Sequence, residues 1–198
     1  MSFDVLVIPE DFTKDEHILK PLVEQILSEC GRKATVRVCR NPNFQGVHAA
    51  LNINALRAKV VARYPMVDLF VLLVDRDGNE GRKERVARIE STLSAELPGC
   101  HNFVAEVAWQ EAEVFILAGQ RLPRDWKWTE IRADADVKNT FFKQLVALRG
   151  LGTEPYEGRK KLMAESISNW QRIKSICPED VGADRSNIRV ALSPSGTR

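Results

Sequence analysis

Six acidic side chains fall where the chain would bring them to one place. Glu10 and Asp11 follow the apolar run at 3–8, Asp75 and Asp77 close the run at 69–74, and Glu111 and Glu113 come just after the run at 102–107. Carboxylates crowded together repel one another, so a cluster of this kind is sustained by a cation, and hard oxygen donors suit Mg²⁺ or Mn²⁺. A pair of such ions would activate a water and stabilise the leaving oxygen in phosphodiester cleavage. The segments differ in what they say. Asp75-x-Asp77 caps the most hydrophobic run of the chain, although Asp77-Gly78-Asn79 is also good turn chemistry. Glu10 alone reads equally well as a helix cap or a solvated loop residue. Glu111 and Glu113 are two apart and do not share a helix face, so one of them is structural or solvated.

Positioning these groups requires strands that end together. Residues 3–8, 35–39, 69–74 and 102–107 read as strands, and 69–74 as a central one covered on both faces. Between them lie helical patterns. Ile18, Leu19, Leu22, Val23, Ile26 and Leu27 mark one apolar face, with Pro21 inside it as a candidate break. Further helices are expected at 48–63, 82–93 and 111–118. Strands alternating with helices predict an α/β fold, a mostly parallel, TOPRIM/Rossmann-like sheet flanked by helices. In such sheets ligands bind beyond the carboxyl ends of the strands, where the acids lie. Residues 1–119 form that domain. Residues 120–137, with Trp126, Trp128 and Pro123, read as a loop or cover. Helical patterns at 138–149 and 159–173 make residues 120–183 a C-terminal helical extension packed on the sheet domain. Residues 184–198 read as a polar tail.

With 198 residues, 44% of them hydrophobic and 28% charged, the chain can bury a full core, which excludes disordered and fibrous classes. No run of about 18 apolar residues marks a membrane span. The start, Met1-Ser2-Phe3-Asp4, lacks the basic region of a signal peptide, so a cytoplasmic location is expected. Cys30, Cys39, Cys100 and Cys177 show no CxxC spacing and read as small hydrophobes, and His17, His48 and His101 are as scattered. His48 reads as a helix-start residue. Trp109, Trp126, Trp128 and Trp170 have the chemistry to stack on bases, but packing at the join between sheet and C-terminal helices accounts for them more simply. No GxGxxG or Walker A pattern indicates nucleotide binding. Net charge is +2, yet residues 1–137 carry 18 basic and 21 acidic side chains against 11 and 6 in residues 138–198. An acidic front and basic back suit a metal site beside a phosphate-binding surface; uneven solvated charge explains the same numbers.

The order strand–Glu, central strand–Asp-x-Asp, further acid resembles the TOPRIM fold of topoisomerases, primases and overcoming-lysogenization-defect nucleases. The chain is more closely similar to small stand-alone TOPRIM-like bacterial proteins, often encoded beside an ABC-type ATPase and associated with phage defence. The carrying segments are Val7-Ile8-Pro9-Glu10, Leu72-Leu73-Val74-Asp75-Arg76-Asp77 and Glu111-Ala112-Glu113-Val114-Phe115-Ile116-Leu117-Ala118. The last is similar to that family's E-x-E-A-W-L-L-A helix and is the most specific. Residues 156–161 and Cys177-Pro178-Glu179-Asp180 are similar to its C-terminal helical part. The resemblance implies a Mg²⁺- or Mn²⁺-dependent nuclease, a phosphodiester hydrolase acting on DNA ahead of RNA, in anti-phage defence. It implies Glu10 as acid/base or ligand, Asp75 and Asp77 as metal ligands, and Glu111 or Glu113 supporting a second metal. Arg159 or Lys160 would stabilise developing phosphate charge, against a plain reading of both as a solvated helix face. The family usually has Glu-Gly after its first strand; here Glu10-Asp11 stands instead, which alters the turn by which substrate approaches. The modest net charge implies weak DNA affinity alone, with a partner such as an ATPase delivering substrate. The oligomeric state is open.

Two other readings use the same residues. Val74-Asp75-Arg76-Asp77-Gly78 also resembles the nucleophile motif of haloacid-dehalogenase-type phosphatases, but that motif normally lies on the first strand, and here two βα units precede it. The other is a non-catalytic TOPRIM-like interaction subunit of an ATPase complex, its acids a metal-bound scaffold or sensor.

Overall fold

The computed structural model describes residues 3–97 and 101–192, so the Pro98-Gly99 turn and Cys100 lie outside the described residues. Four strands, β1 (Phe3–Ile8), β2 (Ala34–Val38), β3 (Leu69–Asp75) and β4 (Asn102–Ala108), form one sheet in the order β2-β1-β3-β4. Every pairing is parallel, with Val5 opposite Val36 and Leu69, and Asp75 opposite Ala108. Parallel strands need crossovers that cover the sheet, and the sequence supplies helices for both faces. Val5, Val7, Leu69, Val71 and Leu73 point to one layer, and Leu6, Ile8, Phe70, Leu72 and Val74 to the other. This period-two alternation in a run with no polar residue is why β3 is apolar throughout up to Asp75.

One layer is built on α1 (Phe12–Glu29). Its buried residues are the six apolar positions of the expected face, and the helix runs unbroken through Pro21. An interior proline costs about 3 kcal/mol, and burial of six large aliphatic side chains outweighs it. The opposite layer holds α2 (Val47–Ala50), α3 (Ile53–Ala55), a π-helical turn at Leu56–Val60 and α4 (Arg82–Glu96). The single helix expected over 48–63 is therefore a chain of short turns, with Asn52 capping α3 through Ala55 N–H at 3.0 Å.

After β4 come α5 (Glu113–Gly119), α6 (Trp128–Ala133), a π-helical turn at Lys138–Phe142, α7 (Lys143–Leu148), α8 (Arg159–Ser168), α9 (Trp170–Ile176) and α10 (Pro178–Leu192). α5, α8 and α9 share the α1 core: Phe115, Leu117, Leu162, Met163 and Ile173 are buried with Val5 and Val7. The tryptophans pack this join. Trp170 is buried, Trp126 meets Phe141 edge-on, and Trp128 Nε1 donates to the Ile176 carbonyl at 2.8 Å. The expected polar tail needs correction: residues 184–192 continue α10, because Ile188 is buried and Asn102 Nδ2 donates to the Ala191 carbonyl at 2.9 Å. Residues 193–198 lie outside the described residues. No helix among the described residues is long and apolar enough to cross a membrane.

Candidate metal centre at the sheet edge

The chain leaves β1 for β2 on one side and returns to β3 on the other, so the β1/β3 boundary is the topological switch point where the carboxyl ends of open α/β sheets leave a crevice. Glu10 and Asp75 stand on its two sides. Glu10 Oε1 accepts from the Asp75 backbone N–H at 2.7 Å, closing the crevice at its base. Asp75 Oδ1 in turn accepts from Ala112 N–H at 2.8 Å, which brings the β4–α5 turn to the same point. One carboxylate oxygen from each of Asp75, Asp77 and Glu111 then lies within 4.8 Å of the others. Three hard oxygen donors at this spacing, drawn from two loops, fit a divalent cation such as Mg²⁺ or Mn²⁺.

Backbone geometry sets this loop. Asp77 and Gly78 both have positive φ, 47° and 66°, so Asp-Gly is the pair that makes the turn. The turn is held from across by Gln110, itself at φ 68°. Its carbonyl accepts from Arg76 and Asp77 N–H at 2.7 and 3.0 Å, and its Oε1 accepts from Gly78 N–H at 2.8 Å. Turn chemistry and ligand placement are thus the same feature: the turn after β3 is what aims Asp77 toward Glu111. Gln110 gives no signal in sequence, since its role rests on a contact across 32 positions.

Electrostatics follow from crowding. Asp75 has its pKa raised well above the ordinary carboxylate value, first by burial and then by the charges of Asp15, Glu113, Glu10 and Asp77. Burial pushes Glu10 up to about 7, against its backbone hydrogen bond from Asp75, and pushes Glu111 up to about 7, against the Lys138 backbone N–H that it accepts. Asp15, which sequence reading missed, is raised to about 6 for the same reason, with Glu113 adding to it. Asp15 sits in the first turn of α1, where an acid ordinarily reads as a partner of the helix dipole, and it does accept from Asp11 N–H at 3.1 Å.

Asp11 shows why the turn after β1 works without glycine. It is the N-cap of α1, with extended backbone at φ −130°, and its side chain accepts from Thr13 N–H at 2.9 Å. No left-handed conformation is needed there.

The remaining expected site residues divide. Glu113 opens α5 with its carboxylate on the Arg159 guanidinium, at 2.6 Å from Nη2 and 3.1 Å from Nε. Arg159 is fully buried, lies 4.6 Å over the Phe142 ring, and also bonds the Glu157 carboxylate and the Tyr156 carbonyl. Its guanidinium is therefore occupied by protein groups rather than standing on a solvated helix face. Lys160 is exposed. Asp77 is paired with Arg82, which also donates to the Asp75 carbonyl, so one cation already sits against the outer acid. Arg76 lies 4.2 Å over the Trp109 ring, with Arg132 at 4.9 Å from the same ring. Trp109 is thereby a support for the Asp-x-Asp loop. His48 is exposed in the first turn of α2, in keeping with its reading as a helix-start residue.

Comparison with protein-family models, with curated proteins and with solved structures finds no match to this chain.

Proposed function

We propose that the chain is a Mg²⁺- or Mn²⁺-dependent nuclease of TOPRIM type that hydrolyses phosphodiester bonds in nucleic acid. The observation that carries this reading is the convergence at the switch point: Glu10 bonded to Asp75, and Asp75, Asp77 and Glu111 with oxygens within 4.8 Å of one another. Asp75, Asp77 and Glu111 would hold the cation, which when bound supplies a Lewis acid and lowers the pKa of a coordinated water. Glu10, raised to about 7 by burial, is suited to exchange a proton near neutral pH. Glu113, held by Arg159, fixes the start of α5 and so the position of Glu111 two residues before it. A role in anti-phage defence and an ABC-type ATPase partner rest on the resemblance of the three short motifs.

The test is cleavage of supercoiled DNA, single-stranded DNA and RNA with Mg²⁺ or Mn²⁺, with Asp75→Ala run beside the native chain. Cleavage by the native chain alone supports the proposal, and cleavage that survives Asp75→Ala overturns it. Cation binding with no cleavage of any substrate would favour the non-catalytic interaction subunit, a reading supported by the internal pairing of Asp77 with Arg82 and of Glu113 with Arg159.

A further inference from the structure

Two segments that meet at the switch point also wall a small cleft. On one side, Gly46 N–H reaches the Glu10 carbonyl at 3.4 Å and brings the start of α2 to the crevice. On the other, the Asp77-Gly78-Asn79 turn leads into α4, whose first residue is Arg82. Between them lies a cleft of about 170 Å³ whose lining includes His48, Leu51, Asn79, Arg82 and Arg85. No carboxylate is among its lining residues. Sites for a whole small-molecule ligand run to roughly 300–1,000 Å³, so this one takes a single group rather than a nucleotide.

The polar side chains of this cleft are donors. Arg82 spends Nη1 on the Asp77 carboxylate, at 2.5 Å, and on the Asp75 carbonyl. Arg85 spends Nη2 on the Leu51 carbonyl at 3.1 Å, which ties α4 to α2 across the cleft. Among the described residues neither guanidinium makes a further hydrogen bond or ion pair, although each carries five N–H groups. Asn79 Oδ1 accepts from Gly81 N–H at 3.1 Å, which leaves its Nδ2 to donate. Two planar guanidiniums, an amide and the His48 imidazole, with no acid in the lining, are chemistry for a tetrahedral oxyanion.

Arg82 decides which oxyanion that is. One nitrogen of its guanidinium holds Asp77, a member of the acidic triad, and the same side chain lines the cleft. An anion in the cleft therefore stands one guanidinium away from Asp77, a step comparable to that between neighbouring phosphates of one strand. We infer that the cleft is an oxyanion subsite for the phosphate next to the scissile one. The substrate is then a polynucleotide, held by two consecutive phosphates, and not an isolated phosphodiester. This rests on the reading of the centre as a phosphodiester site.

The experiment is titration calorimetry in two arms. In EDTA, inorganic phosphate is titrated into the native chain, Arg85→Gln and Arg88→Gln; Arg88 is an exposed residue further along α4 and is not among the cleft's lining residues. With Ca²⁺ replacing Mg²⁺ to hold turnover off, the trinucleotide TpTpT, with two phosphates, is compared with TpT, with one. The native chain should take up phosphate and should bind TpTpT about 10- to 100-fold more tightly than TpT, the scale of one charge-assisted contact. Arg85→Gln should lose both the phosphate affinity and the preference by that factor, and Arg88→Gln should keep both. Phosphate uptake that survives Arg85→Gln, or falls equally in Arg88→Gln, overturns the inference. So does equal affinity for TpTpT and TpT, in which case the cleft takes free phosphate only. Terbium luminescence, read separately, tells the two proposals apart. Terbium bound with no Arg85-dependent phosphate uptake removes this inference and leaves the metal centre, whereas Arg85-dependent phosphate uptake without terbium supports the oxyanion cleft and removes the metal-dependent nuclease.

Discussion

Asp75 is buried among four other acids, and its pKa is raised first by that burial and then by their charges. Replacing it tests whether that cost is tolerated for the sake of a cation. Asp75→Asn keeps an oxygen for the Ala112 N–H and removes the charge. In EDTA at pH 8 the variant should melt a few degrees above the native chain, at about 2–4 °C per kcal/mol for a chain of this size. It should also lose cation uptake, by titration with terbium. A lower melting temperature would mean that the ionised carboxylate itself stabilises the metal-free fold, so that no cation is needed to account for it. Arg159 is the opposite case. Arg159→Met leaves Glu113 buried and unpaired, which should destabilise the fold by about 3–5 kcal/mol in chemical denaturation, with part of the loss recovered by adding Glu113→Gln. No recovery would show that the Phe142 and Tyr156 contacts, not the charge pair, carry the effect. At this scale the sequence was half legible. Asp75, Asp77 and Glu111 follow strands, and strand ends can be read from apolar runs. Asp15 and Gln110 could not be read, because their roles depend on which loop lies opposite, and Arg159 sits in a charged segment that looks solvated until its partner is known.

Elements transmit this geometry through one close approach. Gly119 ends α5 where α8 crosses it, and a Cβ there would lie 2.3 Å from Ser166 Cβ and 2.4 Å from its Cα. Ser166 Oγ donates to the Ile116 carbonyl at 2.8 Å and accepts from Gln120 Nε2 at 2.9 Å, so the contact is polar and buried as well as tight. Gly119→Ala must push α8 away, at a cost of about 1–3 kcal/mol or more, and α8 carries Arg159 at its start. Thermal denaturation should show the loss, and terbium affinity should fall with it because Glu113 and its neighbour Glu111 move. A destabilised variant with native affinity would show that α8 does not position the centre. Helix boundaries were readable where one face is apolar over several turns, as in α1, where even Pro21 did not break the pattern. The helix expected at 138–149 also holds, as the π-helical turn at Lys138–Phe142 running into α7. The span 48–63 was not readable, because short turns and a π-helical stretch interrupt the period, nor was α10, where the buried apolar side chains among the described ones, Val181 and Ile188, lie among polar residues.

For the whole molecule the acidic centre sets how stability depends on pH. Glu10 and Glu111 titrate at about 7 when folded against 4.5 in the free side chain, and Asp15 at about 6 against 3.8. Between pH 4.5 and 7 the folded chain therefore holds more protons than the unfolded chain, and stability must fall as pH rises through that window. Above pH 7 this contribution is complete and the curve levels. Glu157 works in the other direction, since its pKa is lowered by Arg159, but its contribution is lost only as pH falls below the ordinary carboxylate range. The metal-free chain should thus melt at a higher temperature at pH 5 than at pH 8. A cation that binds the ionised folded state reverses the order, because it competes with protons for the same oxygens and stabilises by mass action. Millimolar Mn²⁺ should raise the melting temperature strongly at pH 8 and little at pH 5, while Asp75→Asn should show neither the full fall with pH nor the rescue. Scanning calorimetry at the two pH values, with EDTA and with Mn²⁺, reads all of these together. A rescue of equal size at both pH values would place the ion on some other set of ligands, since only groups that are protonated at pH 5 and ionised at pH 8 can make cation binding depend on pH in this sense.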